Sequence, residues 1–208
     1  MHLSLPEHER FFHLLHGLQF YAIKRLSLDC PAPNTSAFAA LPLEVKAPVR
    51  DAVYKNSFVI TDYAEKNPDF LPEGDLQTIR QWTGFIQGRF FVERHLKKHS
   101  IWVHDNLVYA VLGVSQPLEE ILPKYALPVM IEAVILPYNG KIVFDGVLSH
   151  RSISFGGGIK RSLRETYMTA KQNGRIIESL DKAPETAEAP SGLTPTKNWG
   201  IELQALQK

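Results

Sequence analysis

Asn139-Gly140, set between two runs of apolar residues, constrains the fold of this chain more than any other feature. A two-residue Asn-Gly loop takes a turn whose twist matches that of antiparallel strands. Val129–Tyr138 and Lys141–Leu148 are therefore expected to form a hairpin in which Tyr138 pairs with Lys141. Opposite residues share a face, so Ile131, Ala133, Ile135 and Pro137 fall together with Ile142, Phe144, Gly146 and Leu148. Every member is apolar or glycine, which marks a core face. The other face collects Glu132, Val134, Leu136 and Tyr138 with Lys141, Val143, Asp145 and Val147.

The chain around this hairpin divides in two. Ser4-Leu5-Pro6-Glu7 reads as a capping box, and Phe11, Leu14, Leu15, Leu18, Ala22 and Leu26 then follow at helical spacing. Residues 29–42 have loop composition. A second helix is expected over Leu43 to about Lys55, extended with a break toward Glu65, and Asp75 is expected to cap a short helix reaching Trp82. Strand patterns take over at Phe85–Leu96, Ile101–His104 and Leu107–Leu112, with turns at Lys97–Ser100 and Asp105-Asn106, followed by a short helix over Pro117–Leu122. Ser152–Phe155 reads as a short strand, Gly158–Gln172 as a helix stopped by Asn173-Gly174, and Arg175–Leu180 as a last strand.

The expected architecture is α+β: N-terminal helices packed on a mostly antiparallel sheet, with a late helix after a Gly-Gly-Gly corner. One domain spans residues 1–180, helical to about residue 82 and sheet-rich from about 83. Residues 181–208 read as a flexible linker and a short amphipathic tail on which Trp199, Leu203 and Leu206 share a face suited to a protein partner. With 44% hydrophobic residues in 208 the chain can bury a sizeable core, and its net charge of +1 names no partner. The single cysteine, Cys30, fits a reducing compartment, and no signal sequence or spanning apolar run is visible, so a cytoplasmic protein without membrane contact is expected.

Two residue sets could hold a metal. On the straight hairpin register Glu132 and Asp145 are diagonal neighbours about 7–8 Å apart at Cα, a spacing at which two carboxylates can share a divalent ion. If Phe85–Leu96 pairs with Ile101–His104 around Lys97–Ser100, then Glu93, His95 and His104 share a strand face as a His/His/Glu set. Either set would suit a metal-dependent hydrolase or nuclease. The competing reading of both is the wetter side of a half-buried sheet. Nothing in the sequence asks for an organic cofactor.

Phe155-Gly156-Gly157-Gly158-Ile159-Lys160-Arg161 joins a strand pattern to a helix pattern. Glycine lets backbone N–H groups approach an anion, and the first N–H groups of a helix lack internal partners. The alternative is a purely structural corner. From Lys141 to Arg175 seven Lys/Arg stand against Asp145 and Glu165, a local excess of +5, so the remainder carries −4. Gly156, Gly157, Gly158, Lys160, Arg161, Arg164 and Lys171 form the anion-binding candidate. Lys160 and Lys171 are about 16 Å apart along a helix, a span suited to several phosphates of a nucleic-acid backbone rather than to one small phosphate. Neither a dinucleotide-binding glycine pattern nor a Walker spacing is present.

Lys141-Ile142-Val143-Phe144-Asp145-Gly146 followed by Phe155-Gly156-Gly157-Gly158-Ile159 resembles a domain of uncharacterised bacterial proteins, in which a Lys-Ile-x-x-Asp-Gly hairpin leads to a Gly-Gly-Gly-Ile helix start. That resemblance implies an intact domain and brings no activity. The residues themselves point to a non-catalytic binding or regulatory module for a phosphate-bearing partner, nucleic acid included. The metal-dependent enzyme and the tail-mediated protein interaction stand as alternatives.

Overall fold

The computed structural model describes residues 2–150 and 155–180. The start of the strand expected over Ser152–Phe155, the 181–208 linker and tail, and with them Trp199, Leu203 and Leu206, lie outside the described residues. The architecture is α+β. Helices α1 (Leu5–Arg25), α2 (Thr35–Ala39), α3 (Leu43–Lys55), α4 (Phe58–Lys66) and α5 (Glu73–Gln81) come first. Strands β1 (Ile86–His95), β2 (Ser100–His104) and β3 (Leu107–Leu112) follow, then a short helix α6 (Leu118–Ile121) and strands β4 (Val129–Tyr138) and β5 (Lys141–His150). Helix α7 (Gly157–Gln172) and a two-residue strand β6 (Ile176–Ile177) end the described chain.

Local chemistry sets the helix ends. At the start of α1 the Glu7 carboxylate accepts from the Ser4 N–H at 3.0 Å and from the Ser4 hydroxyl at 2.8 Å. Asn34 caps α2 inside the stretch expected to be a loop, its Oδ1 accepting from the Ala37 N–H at 2.8 Å. Helix α5 begins after Pro72 rather than at Asp75, which instead accepts from Arg10 Nε of α1 at 2.7 Å. The α3 and α4 segments are broken at Asn56-Ser57. At the end of α7 Gly174 adopts a φ of +61°, and Arg175 donates back to the Ala170 carbonyl at 2.8 Å, which stops the helix.

The strands close into a barrel. Strand β1 pairs antiparallel with both β2 and β4, β2 pairs with β3, β4 pairs with β5, and a short parallel contact of Val111 with Ile142 and Leu112 with Val143 joins β3 to β5. The ring order β1-β2-β3-β5-β4, with a helical connection between β3 and β4, is the connectivity of a partly open, five-stranded Greek-key barrel of the OB-fold kind. Strand β6 adds to the free end of β3 by a parallel pairing. Inside sit Phe90, Trp102, Tyr109 and Phe144, with Phe90–Trp102 ring centroids 5.4 Å apart and Trp102–Phe144 6.2 Å apart. The core face expected for the Asn-Gly hairpin is this interior: Ile131, Ala133, Ile135, Ile142 and Phe144 are all buried.

Both outer faces of the barrel that carry apolar residues are covered. Val134, Leu136, Tyr138 and Val143 join one core with Phe11, Leu14, Leu15 and Leu18 of α1 and with Ile79 and Trp82. Three polar ties hold that contact: Tyr138 donates to the Glu7 carbonyl at 3.0 Å, Lys141 Nζ donates to Glu7 Oε1 at 2.7 Å, and Trp82 Nε1 donates to the Pro137 carbonyl at 3.1 Å. On the other side α7 lays Leu163, Tyr167 and Ala170 on Ile101, Val103 and Val108 of β2 and β3. Helix α7 thus covers the outside of the β1–β2–β3 meander.

His16 in α1 is wedged among aromatics, stacked on Phe12 at 5.4 Å and edge-on to Phe38 at 6.0 Å. Burial first, then the nearby Lys46 and His13 charges, hold its pKa down to about 4 from 6.5. The folded state therefore resists a proton that the unfolded chain accepts. Stability is fully present above pH 6.5 and falls as the pH drops from 6.5 toward 4. Because the ring is partly solvated, the expected loss is about 1–2 kcal/mol. Urea midpoints measured at pH 7 and pH 4.5 should show it, and His16→Leu should flatten that slope.

Candidate functional site

Helix α7 turns one charged face to solvent. Its buried residues, Leu163, Tyr167 and Ala170, fix the opposite face against the barrel, so Lys160, Arg161, Arg164 and Lys171 are all exposed. None of the four has an ion-pair partner among the described residues, whereas most other arginines of the barrel and the helices are paired. The sequence-expected stripe is therefore assembled on one rigid element. Its span, Lys160 to Lys171, is about 16 Å.

The glycine corner leads into this face. Gly156 is the N-cap with φ −65° and ψ 162°, an extended conformation open to any residue, and Lys160 N–H closes the first turn on the Gly156 carbonyl at 3.3 Å. A Cβ added at Gly156, Gly157 or Gly158 would meet nothing within 4 Å. Neither a left-handed backbone nor a close contact requires glycine there. Phe155 packs edge-on to Phe91 of β1 at 5.5 Å, which fixes where the helix begins. The result is an exposed helix start whose first N–H groups have no partner within the helix, with Lys160 and Arg161 in the first turn.

In the β4–β5 hairpin, backbone geometry demands glycine at Gly146. Its φ is +88°, and an added Cβ would stand 3.0 Å from Phe12 Cζ and 3.2 Å from Phe12 Cε1. Around it the hairpin bulges: Ala133 pairs with Leu148 and Ile135 with Phe144, so the straight register expected from Asn139-Gly140 ends at this point. Glu132 consequently faces Ser149. Asp145 is fully buried and takes a bidentate pair from Arg50 of α3, with Nε to Oδ2 at 2.5 Å and Nη2 to Oδ1 at 3.2 Å, and accepts from the Val147 N–H at 3.2 Å. Burial pushes the Asp145 carboxyl up from its ordinary value, and the Arg50 guanidinium opposes that shift. Glu132 stays half exposed and pairs with Arg89 at 3.3 Å. Each carboxylate expected to share a metal is committed to its own arginine.

These two pairs border a cleft of about 460 Å³ between α3 and the outer face of β1, β4 and β5, lined by Ala47, Arg50, Asp51, Gln87, Arg89 and Ser149 among others. Arg50 also donates to Asp51 at 2.8 Å, so its three donor nitrogens are all engaged with carboxylates. The cleft is a charge-balanced seam between the helical part and the barrel.

The histidine set is likewise separated. The β1–β2 loop is Leu96–His99, turning at Lys97-Lys98 with Leu96 N–H donating to the His99 carbonyl at 2.8 Å, and not Lys97–Ser100. His95 therefore pairs with Ser100, and a bulge at Glu93 breaks the alternation between Val92 and Arg94. Glu93 forms its ion pair with Arg94. His95 Nδ1 lies 2.6 Å from Ser100 Oγ and Nε2 lies 2.7 Å from the Leu122 carbonyl, which can only accept, so Nε2 carries the proton and Nδ1 accepts from the serine. His104 Nδ1 lies 2.8 Å from the Arg89 carbonyl. No group of three or more His, Cys, Asp or Glu suited to a metal ion occurs among the described residues.

No family model, no curated protein and no solved structure matches this chain. No helix among the described residues is long and apolar enough to cross a membrane.

Proposed function

We propose that the protein is a non-catalytic binding module for an extended polyanion, nucleic acid by preference, engaged by the exposed face of α7. The observation that carries this reading is the row Lys160, Arg161, Arg164 and Lys171: exposed, held on a helix that cannot turn without uncovering its apolar face, and unpaired among the described residues. Clustered like charges repel, and an external anion relieves that repulsion. The uncapped start of α7, with its glycines bare of side chains, lets a phosphate oxygen reach backbone N–H groups at one end of the same row. Barrels of this connectivity commonly hold oligonucleotides or oligosaccharides over strands β2 and β3. In this chain α7 covers that side, so its outward face takes the position from which a ligand would be met. Fold alone assigns no function, and the weight rests on the cations.

Counterion release supplies the test. Affinity for a fluorescein-labelled oligonucleotide, read by anisotropy between about 50 and 200 mM salt, should fall linearly on a log–log plot. The K160A/R164A/K171A variant should bind more weakly and show a slope shallower by about 1 for each cation removed. Salt-independent binding, or an unchanged slope in the variant, would remove the basis for this reading.

A further inference from the structure

Tyr125 is 91% exposed, in the short helical turn Lys124–Ala126 of the β3–β4 connection. Its ring is almost wholly in water, with no hydrogen bond or ring–ring contact to another described residue. The turn is not loose. Pro123 precedes it, Pro128 follows within three residues, and Ala126 and Leu127 donate back to the Pro123 and Lys124 carbonyls at 2.9 and 3.3 Å. A ring held out on a preorganised turn costs little further entropy when it binds something flat.

Its position ties it to α7. The Leu122 carbonyl, three residues before Tyr125, is bound by His95 Nε2 at 2.7 Å. Next to His95, the Arg94 guanidinium lies 4.5 Å over the ring of Tyr167, in the middle of α7, and Leu96 packs into the apolar cluster beneath that helix. Lys97 and Lys98 are exposed in the loop between β1 and β2. Three residues of chain reach at most about 11 Å, so Tyr125 stands within about that distance of the Leu122 carbonyl that His95 holds. Glu119 and Glu120 on α6 outnumber Lys124 and leave this connection with one net negative charge, so its contribution to a polyanion site is the aromatic face and not attraction.

Building on the polyanion reading, we infer that the ligand is single-stranded nucleic acid and that Tyr125 is the residue on which one of its bases stacks. A row of cations alone accepts any polyanion, duplex included. A stacking ring selects for strands whose bases are unpaired, and it does so with little regard to sequence because every base has a π-face.

Stacking and charge separate by experiment. The probes are an oligothymidine of about 12 nucleotides and a duplex of the same length, with anisotropy read across salt. Tyr125→Ala is expected to weaken single-strand binding roughly 5- to 150-fold, to leave the salt slope unchanged, and to leave duplex binding unchanged. Tyr125→Phe should bind like the parent protein. A Tyr125→Ala variant that binds the single strand as tightly as the parent, or that weakens both probes equally, overturns the stacking role while leaving the polyanion reading in place. Absence of salt-dependent binding to either probe overturns both. The side chain is in solvent, so the thermal midpoint should not move and a folding defect would not mimic the effect.

Discussion

Replacing Asp145 by alanine is expected to destabilise the protein by about 3–5 kcal/mol, read as the change in urea unfolding free energy at pH 7. The carboxylate is fully buried and its partner Arg50 is only 11% exposed, so the substitution leaves a guanidinium out of water with Asp51 as its sole remaining carboxylate. The cost comes from stranding a charge and not from the net worth of the pair, because desolvating both ions consumes most of their attraction. That distinction is measurable. The double variant Arg50→Met with Asp145→Leu, apolar on both sides, should recover most of the loss. A double variant no more stable than the single one would show that the bulge itself, and not the stranded arginine, sets the cost.

Truncating Phe11 to alanine should cost a similar amount, about 3–5 kcal/mol. Phe11 is fully buried and its ring meets three others, Phe12 at 5.4 Å, Trp82 at 5.6 Å and Tyr138 at 5.2 Å, all edge-on or nearly so. Those partners come from α1, from the turn after α5 and from β4, so the ring sits where the helical part meets the barrel. Removing it opens a cavity that α1, pinned at Glu7 to both Lys141 and Tyr138, cannot collapse to fill. Far-UV signal from the helices and near-UV aromatic signal, to which the barrel's buried Phe90, Trp102 and Tyr109 contribute, should be lost in one coincident transition, at lower denaturant than in the parent protein. Two separated transitions would show that the shared core does not couple the two parts.

The residues that carry these two effects differ in how visible they are in the sequence. Phe11 belongs to a helical stripe, and its burial follows from spacing alone. Asp145 is visible only as a polar residue on the outer strand face, and its use is not. Glu132 and Asp145 look alike in the sequence, yet one is half exposed and the other fully buried. The difference is made by Arg50, ninety-five residues away, and by the bulge at Gly146. A positive φ leaves no signature beyond the glycine itself, which the sequence offers equally for a core position or a close approach. The histidine set failed for a related reason. The β1–β2 loop runs over Leu96–His99, one residue earlier than its composition suggests, and turns at Lys97-Lys98, neither a usual hairpin-turn type, while Glu93 is an extra residue in its strand. Register errors of one residue move every side chain to the other face.

The face of α7 was readable because a helix keeps its own geometry. Spacing placed Lys160, Arg164 and Lys171 together, and packing only decided that the opposite stripe is the one that docks. The three glycines were readable as a boundary and not as a requirement, since nothing crowds them. Tyr125 carried no signal. An aromatic between two prolines is as compatible with burial as with exposure, and its exposure depends on where the connection runs over the barrel.

By itself, then, the sequence determined what short-range physics controls: the helices and their caps, the Asn139-Gly140 turn, the apolar face of β4 and β5, and the charged face of α7. Tertiary structure decided what depends on distant partners. It closed the strands into a barrel through the brief parallel contact of β3 with β5, gave Asp145 to Arg50, kept Glu93, His95 and His104 apart, and left Tyr125 in water. Hydrophobic periodicity and turn chemistry act within a few residues of chain. Closure, ion pairing and exposure are settled by which surfaces meet after the chain has returned on itself.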